Sequence, residues 1–178
     1  MGNLILVTGG AGYLGSHTVL SLLESGKDVV VVDNFSNSSP KSIDGIERIC
    51  GRRPIVIDAD VRDSLTLSKV FNHHEIEAVF HFAGLKSVEE SMYEPELYYE
   101  ENIGSVLNLL EEMRNAEVRK LIFSSSATVY DPHGSNPYSE DSPIGPTNPY
   151  GKTKFLIERT LKEIANISPQ WSIGLLRY

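Results

Sequence analysis

Residues 8 to 15 read Thr-Gly-Gly-Ala-Gly-Tyr-Leu-Gly. They follow the apolar run Leu4–Val7 and precede a segment with helical apolar spacing, His17–Leu23. A strand that enters a helix through so many glycines admits few folds. It reads as the first strand–helix unit of a parallel sheet, with a turn tight enough for backbone to touch a ligand. Two patterns overlap there. Gly10, Gly12 and Gly15 give G-x-G-x-x-G, while Gly9, Gly12 and Gly15 give G-x-x-G-x-x-G. Either way, the helix starting near Tyr13 aims unpaired N–H groups and its positive dipole end at an anion such as a pyrophosphate.

The rest of the chain repeats the alternation. Short apolar runs at Asp28–Val32, Pro54–Ile57, Ala78–Phe82, Lys120–Ser124 and Trp171–Leu176 read as further strands. Helical spacing recurs at Ile43–Ile49, Leu65–Phe71, Pro95–Arg114 and Tyr150–Ala165. The expected fold class is α/β, a doubly wound parallel sheet with helices on both faces. The sixth run is expected at a sheet edge with little to cover it. Asp131–Asn148, rich in Pro, Ser, Gly and Asn, is the longest irregular stretch. Unbroken apolar runs reach only four residues, so no membrane span is expected. The net charge of −8 disfavours nucleic acid as a partner. With Cys50 the sole cysteine, no disulfide framework is possible, and a cytoplasmic, reducing setting is expected. The five histidines form no metal pattern, so no metal is expected.

Candidate site residues fall at strand ends. Asp33 closes the second strand, 18 residues after Gly15, and is placed to accept hydrogen bonds from an adenosine ribose. Its charge would repel a 2′-phosphate, which favours NAD over NADP. Asp60, after the third strand, reads either as a contact to adenine or as a helix N-cap. Tyr150 and Lys154 are spaced i, i+4 and share a helix face. A cation about 6 Å from a phenol favours tyrosinate by roughly 2–3 kcal/mol at an effective dielectric of about 20. That would bring a tyrosine pKa from about 10 toward 8, useful for general acid–base work on a sugar hydroxyl. The fifth strand ends in Ser124-Ser125-Ser126-Ala127-Thr128, and one of these hydroxyls is expected to face the cleft.

Together the glycine turn, Asp33, the serine strand and Tyr150-x-x-x-Lys154 resemble the extended short-chain dehydrogenase/reductase superfamily. The segments Thr8–His17, Val32–Asn34, His81–Lys86, Ser124–Tyr130, Asn148–Lys154 and Leu175–Tyr178 narrow the resemblance to the UDP-glucose 4-epimerase family. The resemblance covers the whole chain but only the first half of the family's usual length. It implies a single Rossmann-like dinucleotide-binding domain over residues 1–178, incomplete at its C-terminal end and truncated before the smaller substrate domain. It also implies a bound NAD, a UDP-galactose/UDP-glucose substrate and, for the full-length family, a homodimer. Tyr150 is then the acid–base residue and Lys154 tunes it. Ser126 is the catalytic hydroxyl, with Thr128 nearby, and Ser126 and Tyr150 meet the substrate. Carried over by position as cofactor contacts are Gly9, Gly12, Tyr13, Leu14, Gly15, Asp33, Asn34, Asn37, Asp60, Val61, Phe82, Ala83, Lys86, Tyr150, Lys154 and Tyr178. Related 4,6-dehydratases place an Asp-Glu pair where this chain has Ala127-Thr128, which disfavours dehydration. Glu101 departs from the family's usual asparagine, with Asn102 one residue along as a possible substitute. Glu89 and Asp131 stand where glycine is usual and would be strained at positive φ. These departures and the length motivate a second reading, an NAD-binding relative without catalysis.

Overall fold

The computed structural model describes residues 4–134 and 136–178. Six strands form one parallel sheet. They are β1 (Leu4–Thr8), β2 (Asp28–Asp33), β3 (Ile55–Asp58), β4 (Ile76–His81), β5 (Lys120–Ser124) and β6 (Ser172–Leu176), in the order β3-β2-β1-β4-β5-β6. The helices between them are α1 (Tyr13–Glu24), α2 (Lys41–Cys50), α3 (Ser64–His73), α4 (Val88–Tyr93), α5 (Pro95–Asn115) and α6 (Pro149–Ile167).

Strand side chains alternate between two cores. Leu6, Val30, Val32, Val79, Leu121 and Phe123 pack on one face with residues of α3, α5 and α6. Ile5, Val7, Val29 and Val31 pack on the other with α1 and α2. This is the doubly wound arrangement that the alternation predicts. Chain order reverses between β1 and β4, and a crevice opens there at the carboxyl ends of the strands. His81 closes β4 at that point. Its ring is buried and bonded to the Thr8 hydroxyl at 2.7 Å, and burial pushes its pKa down to about 3. The neutral imidazole therefore ties β1 to β4.

The sixth strand is the edge strand and is only half-buried. The short helix α4 is a feature the spacing did not reveal. It spans six residues, too few for an apolar period, and depends on Ser87, whose hydroxyl accepts from Glu90 N–H at 3.1 Å. Glu89 sits in its first turn, and Asp131 is outside the positive-φ region, so neither carries the anticipated strain. No helix among the described residues is long and apolar enough to cross a membrane.

Candidate active site

The glycine turn forms one wall of a cleft above β1 and β4. Gly9, Gly12 and Gly15 line it, whereas Gly10 faces away, and a side chain there would strike Val31 at 2.8 Å. Of the two overlapping patterns, the one beginning at Gly9 therefore faces the cleft. Gly9 has φ +68°, which only glycine adopts freely. A methyl on Gly15 would lie 2.1 Å from the Gly9 carbonyl oxygen. No side chain caps α1 and no acid occupies its first turn, so its leading N–H groups are left for a ligand.

All sixteen residues expected as cofactor contacts line this cleft. Asp33 does more than the sequence suggested. Its Oδ2 accepts from Ala11 N–H at 2.9 Å, and its Oδ1 accepts from Phe35 N–H at 3.0 Å and the Ser38 hydroxyl at 2.8 Å. It thus braces the glycine turn as well as facing the cleft. Of the two readings of Asp60, the helix cap is ruled out. Asp63 caps α3, accepting from Leu65 and Thr66 N–H, while Asp60 faces the cleft. Hydrogen bonds from Arg62 hold the Asp60 carboxyl below its ordinary pKa range, against the upward push of burial.

Asn102 does not replace Glu101. Its amide is buried and bonds Leu85 N–H at 2.8 Å, Leu85 C=O at 3.1 Å and Thr153 at 3.2 Å, tying the loop after β4 to α6. Glu101 itself lines the cleft and pairs with Arg62 at 2.6 Å.

At the other end of the cleft, α6 brings Tyr150 and Lys154 against the end of β5. Asn148 caps this helix, accepting from Gly151 N–H at 2.8 Å, and Pro149 opens its first turn. Gly151 permits the close approach, since a methyl there would meet the Thr128 carbonyl oxygen at 2.6 Å. The spacing argument passed over this glycine. Ser126, Thr128 and Tyr150 lie together at this contact. Ser126 Oγ accepts from Thr128 Oγ1 at 2.9 Å. Ser126 and Thr128 sit beside Tyr150 rather than in the cleft lining.

The electrostatics differ from the spacing argument. Lys154 Nζ is 5.8 Å from the Tyr150 ring centre, close to the expected separation. Yet burial pushes the Tyr150 phenol up, and the neighbouring Ser126 hydroxyl only partly counteracts it. Lys154 is itself only 4% exposed, and burial pushes its ammonium down to about 8. It donates to Ser124 C=O at 3.0 Å and lies 4.8 Å above the Phe123 ring. The cost of desolvating both charged forms thus offsets the Coulomb attraction on which the spacing argument relied.

A buried ion pair behind the site was not singled out by spacing. Glu158, 1% exposed, accepts two bonds from Arg177, at 2.8 and 2.6 Å, and one from the Ser125 hydroxyl at 2.5 Å. Arg177 also donates to the Tyr130 hydroxyl at 3.1 Å. Burial pushes the Glu158 carboxyl up, but Arg177 and Ser125 outweigh it and hold it below the ordinary range. The pair fastens α6 and β6 to the serine strand. The i, i+4, i+8 series Tyr150, Lys154, Glu158 on one helix face is the signal that points to it.

Comparison with known proteins follows this geometry. The model of the NAD dependent epimerase/dehydratase family matches residues 5–178. The chain belongs to that family. Among curated relatives it is similar to the UDP-glucose 4-epimerase of Yersinia enterocolitica, at 51% identity over 175 residues. That match takes in 98% of this chain and 52% of the relative. A UDP-glucose 4-epimerase from Bifidobacterium longum, solved in complex with NAD+ and UDP, superimposes with a TM-score of 0.96 at 46% identity, over 99% of this chain and 53% of that one. The Stenotrophomonas maltophila UDP-glucose-4-epimerase, with bound NAD and formylated UDP-arabinopyranose, gives 0.95 at 42% identity, over 100% of this chain and 53% of that one. The chain spans about half the length of the relatives it matches.

Proposed function

We propose that this chain is the cofactor-binding and acid–base half of a UDP-sugar 4-epimerase, interconverting UDP-galactose and UDP-glucose through a 4-keto sugar. The observation that carries the reading is the meeting of Tyr150 and Lys154, with Ser126 directly behind Tyr150, at one end of a cleft whose other end is a glycine turn. The residues fit NAD. The uncapped start of α1 suits a pyrophosphate and Asp33 suits an adenosine ribose. Bound there, NAD would supply the hydride chemistry, removal of a hydride from the sugar C4 and its return to the opposite face.

The chain's own residues handle the proton. Tyr150 takes the proton of the 4-hydroxyl and gives it back after the keto sugar turns over in the site. Ser126 holds the sugar oxygen beside the phenol. Lys154 supports the phenolate and stays anchored on Ser124 C=O. Ala127 and Thr128 offer no carboxyl for the elimination step of a dehydratase, which favours epimerisation.

The test is a coupled UDP-galactose to UDP-glucose assay on the 178-residue chain with NAD supplied. Folding and NAD binding are checked on the same sample. Turnover that disappears in Tyr150→Phe, with NAD binding retained, supports the proposal. Turnover that survives Tyr150→Phe removes this tyrosine from the mechanism. NAD binding without turnover favours the second reading, a cofactor-binding relative that does not catalyse.

A further inference from the structure

Three carboxylates crowd one guanidinium in the wall of the cofactor cleft. Arg62 donates to both oxygens of Asp60, at 3.1 and 2.9 Å, pairs with Glu101 at 2.6 Å, and has Glu100 at 3.9 Å. Asp60 and Glu101 both line the cleft. Asp60 is the better satisfied of the two, since Asn34 and the Arg62 backbone N–H also donate to it. Among the described residues Glu101 has Arg62 as its only ion-pair partner, and its side chain is 24% exposed.

We infer that Glu101 sets how tightly this cleft holds a dinucleotide, and that binding a pyrophosphate there takes up a proton on Glu101. The inference rests on the NAD reading above and deepens it. A pyrophosphate brings two negative charges to a cleft lined by two of these carboxylates, Asp60 and Glu101, which with Glu100 behind them already outnumber the one guanidinium by two. Of the acids in that wall, Glu101 gives way. Burial pushes its carboxyl up, and Asp60 and Glu100 add to the push against the pull of Arg62. Asp60 is held in the opposite direction by the same guanidinium. Lys86 and Lys154 line the cleft further round, but Lys154 is engaged with Ser124. An occupied cleft lifts the Glu101 carboxyl further still. Affinity for the dinucleotide therefore falls as pH rises between the free and the occupied titration points of this one group.

The experiment is calorimetric titration of the chain with NAD+ and, separately, with adenosine from pH 5 to 8, comparing wild type with Glu101→Gln. Glu101→Gln keeps the side-chain shape at a partly exposed position, and its unfolding midpoint confirms that it folds. At pH 8 the variant binds NAD+ about tenfold more tightly. Its affinity is flat with pH where the wild type's falls, and the two converge toward pH 5. Adenosine, which has no phosphate, binds both chains alike. Weaker NAD+ binding by Glu101→Gln overturns the inference and makes the carboxylate a ligand in its own right. An unchanged pH profile overturns it too. If neither chain binds NAD+, the dinucleotide reading itself falls, whereas binding by the variant alone shows a stronger repulsion than inferred.

Discussion

Lys154→Met is expected to make the chain more stable while removing its chemistry. The ammonium is buried, and its pKa lies near 8 instead of the ordinary 10.5. That difference corresponds to about 3 kcal/mol of cost for keeping it charged at pH 7. Methionine fills the same space without a charge. Against the gain stands the lost bond to Ser124 C=O, worth about 1.5–2 kcal/mol for a charged donor. A net stabilisation of about 1–1.5 kcal/mol remains, or roughly 2–6 °C in Tm for a chain of this size. The pH dependence carries the sharper test. A lysine whose folded pKa is lowered binds fewer protons folded than unfolded between about 8 and 10.5, so stability rises with pH through that window. Burial raises the phenols of Tyr150 and Tyr178, and it pushes Tyr98 up to about 12. These tyrosines act in the opposite sense above about pH 10. Urea midpoints from about pH 7.5 to 9.5 therefore isolate the lysine. The wild type should gain on the variant through this range. A variant that melts below the wild type at pH 7, or parallel profiles in both chains, would refute the reasoning. A positive outcome would show a residue kept at a cost in stability, as a functional role for Lys154 requires.

Two further perturbations test the frame around the site. Arg177→Met leaves the buried Glu158 carboxylate without its guanidinium and should cost about 3–5 kcal/mol in urea unfolding. Its pH signature follows from the lowered Glu158 carboxyl, whose stabilisation is present above the ordinary carboxylate range and lost as pH falls through its folded value. The variant should lack that acid limb. Gly15→Ala places a methyl 2.1 Å from the Gly9 carbonyl oxygen, so NAD+ titration should show at least a tenfold loss of affinity. Unchanged binding would mean that the turn does not hold the cofactor.

The strands and long helices were legible because each carries its own period over enough residues to show it. The helix α4 was not, because its six residues hold less than two turns and its cap is a single serine. Part of the site follows the same rule. Tyr150 and Lys154 meet because four residues advance one turn, and the glycine turn is recognisable from its flanks. What depends on strand order was hidden. Arg177 reaches Glu158 and Tyr130 only because β6 adds to the edge of β5, where Ser125 N–H bonds Leu176 C=O at 2.8 Å. No local pattern encodes that neighbour. Whether Asp60 caps a helix likewise turned on the fold, because it is Asp63 whose side chain meets the first turn of α3 while Asp60 meets the cleft.

The acidity of Tyr150 was misjudged for a related reason, and the error bears on mechanism. Spacing supplies the distance to Lys154, and distance alone supplies attraction between phenolate and ammonium. Burial is a property of the folded sheet and helices, and it taxes both charges at once. In the free chain it raises the phenol and lowers the ammonium, so both shifts run toward the neutral forms, although an ammonium near 8 stays mostly charged at pH 7. Ionising Tyr150 then requires that Lys154 be charged, and that the charge not be dissipated in water. The Ser124 carbonyl and the Phe123 ring hold the ammonium in the cleft, and among the described residues no carboxylate pairs with it. Glu158, one turn further along α6, is fully taken up by Arg177, Ser125 and Lys162. On the proposed mechanism the buried ion pair would bear on the reaction as well as on the fold: with Glu158 held by Arg177, the next carboxylate along this helix face is already paired, and the charge of Lys154 would remain for Tyr150.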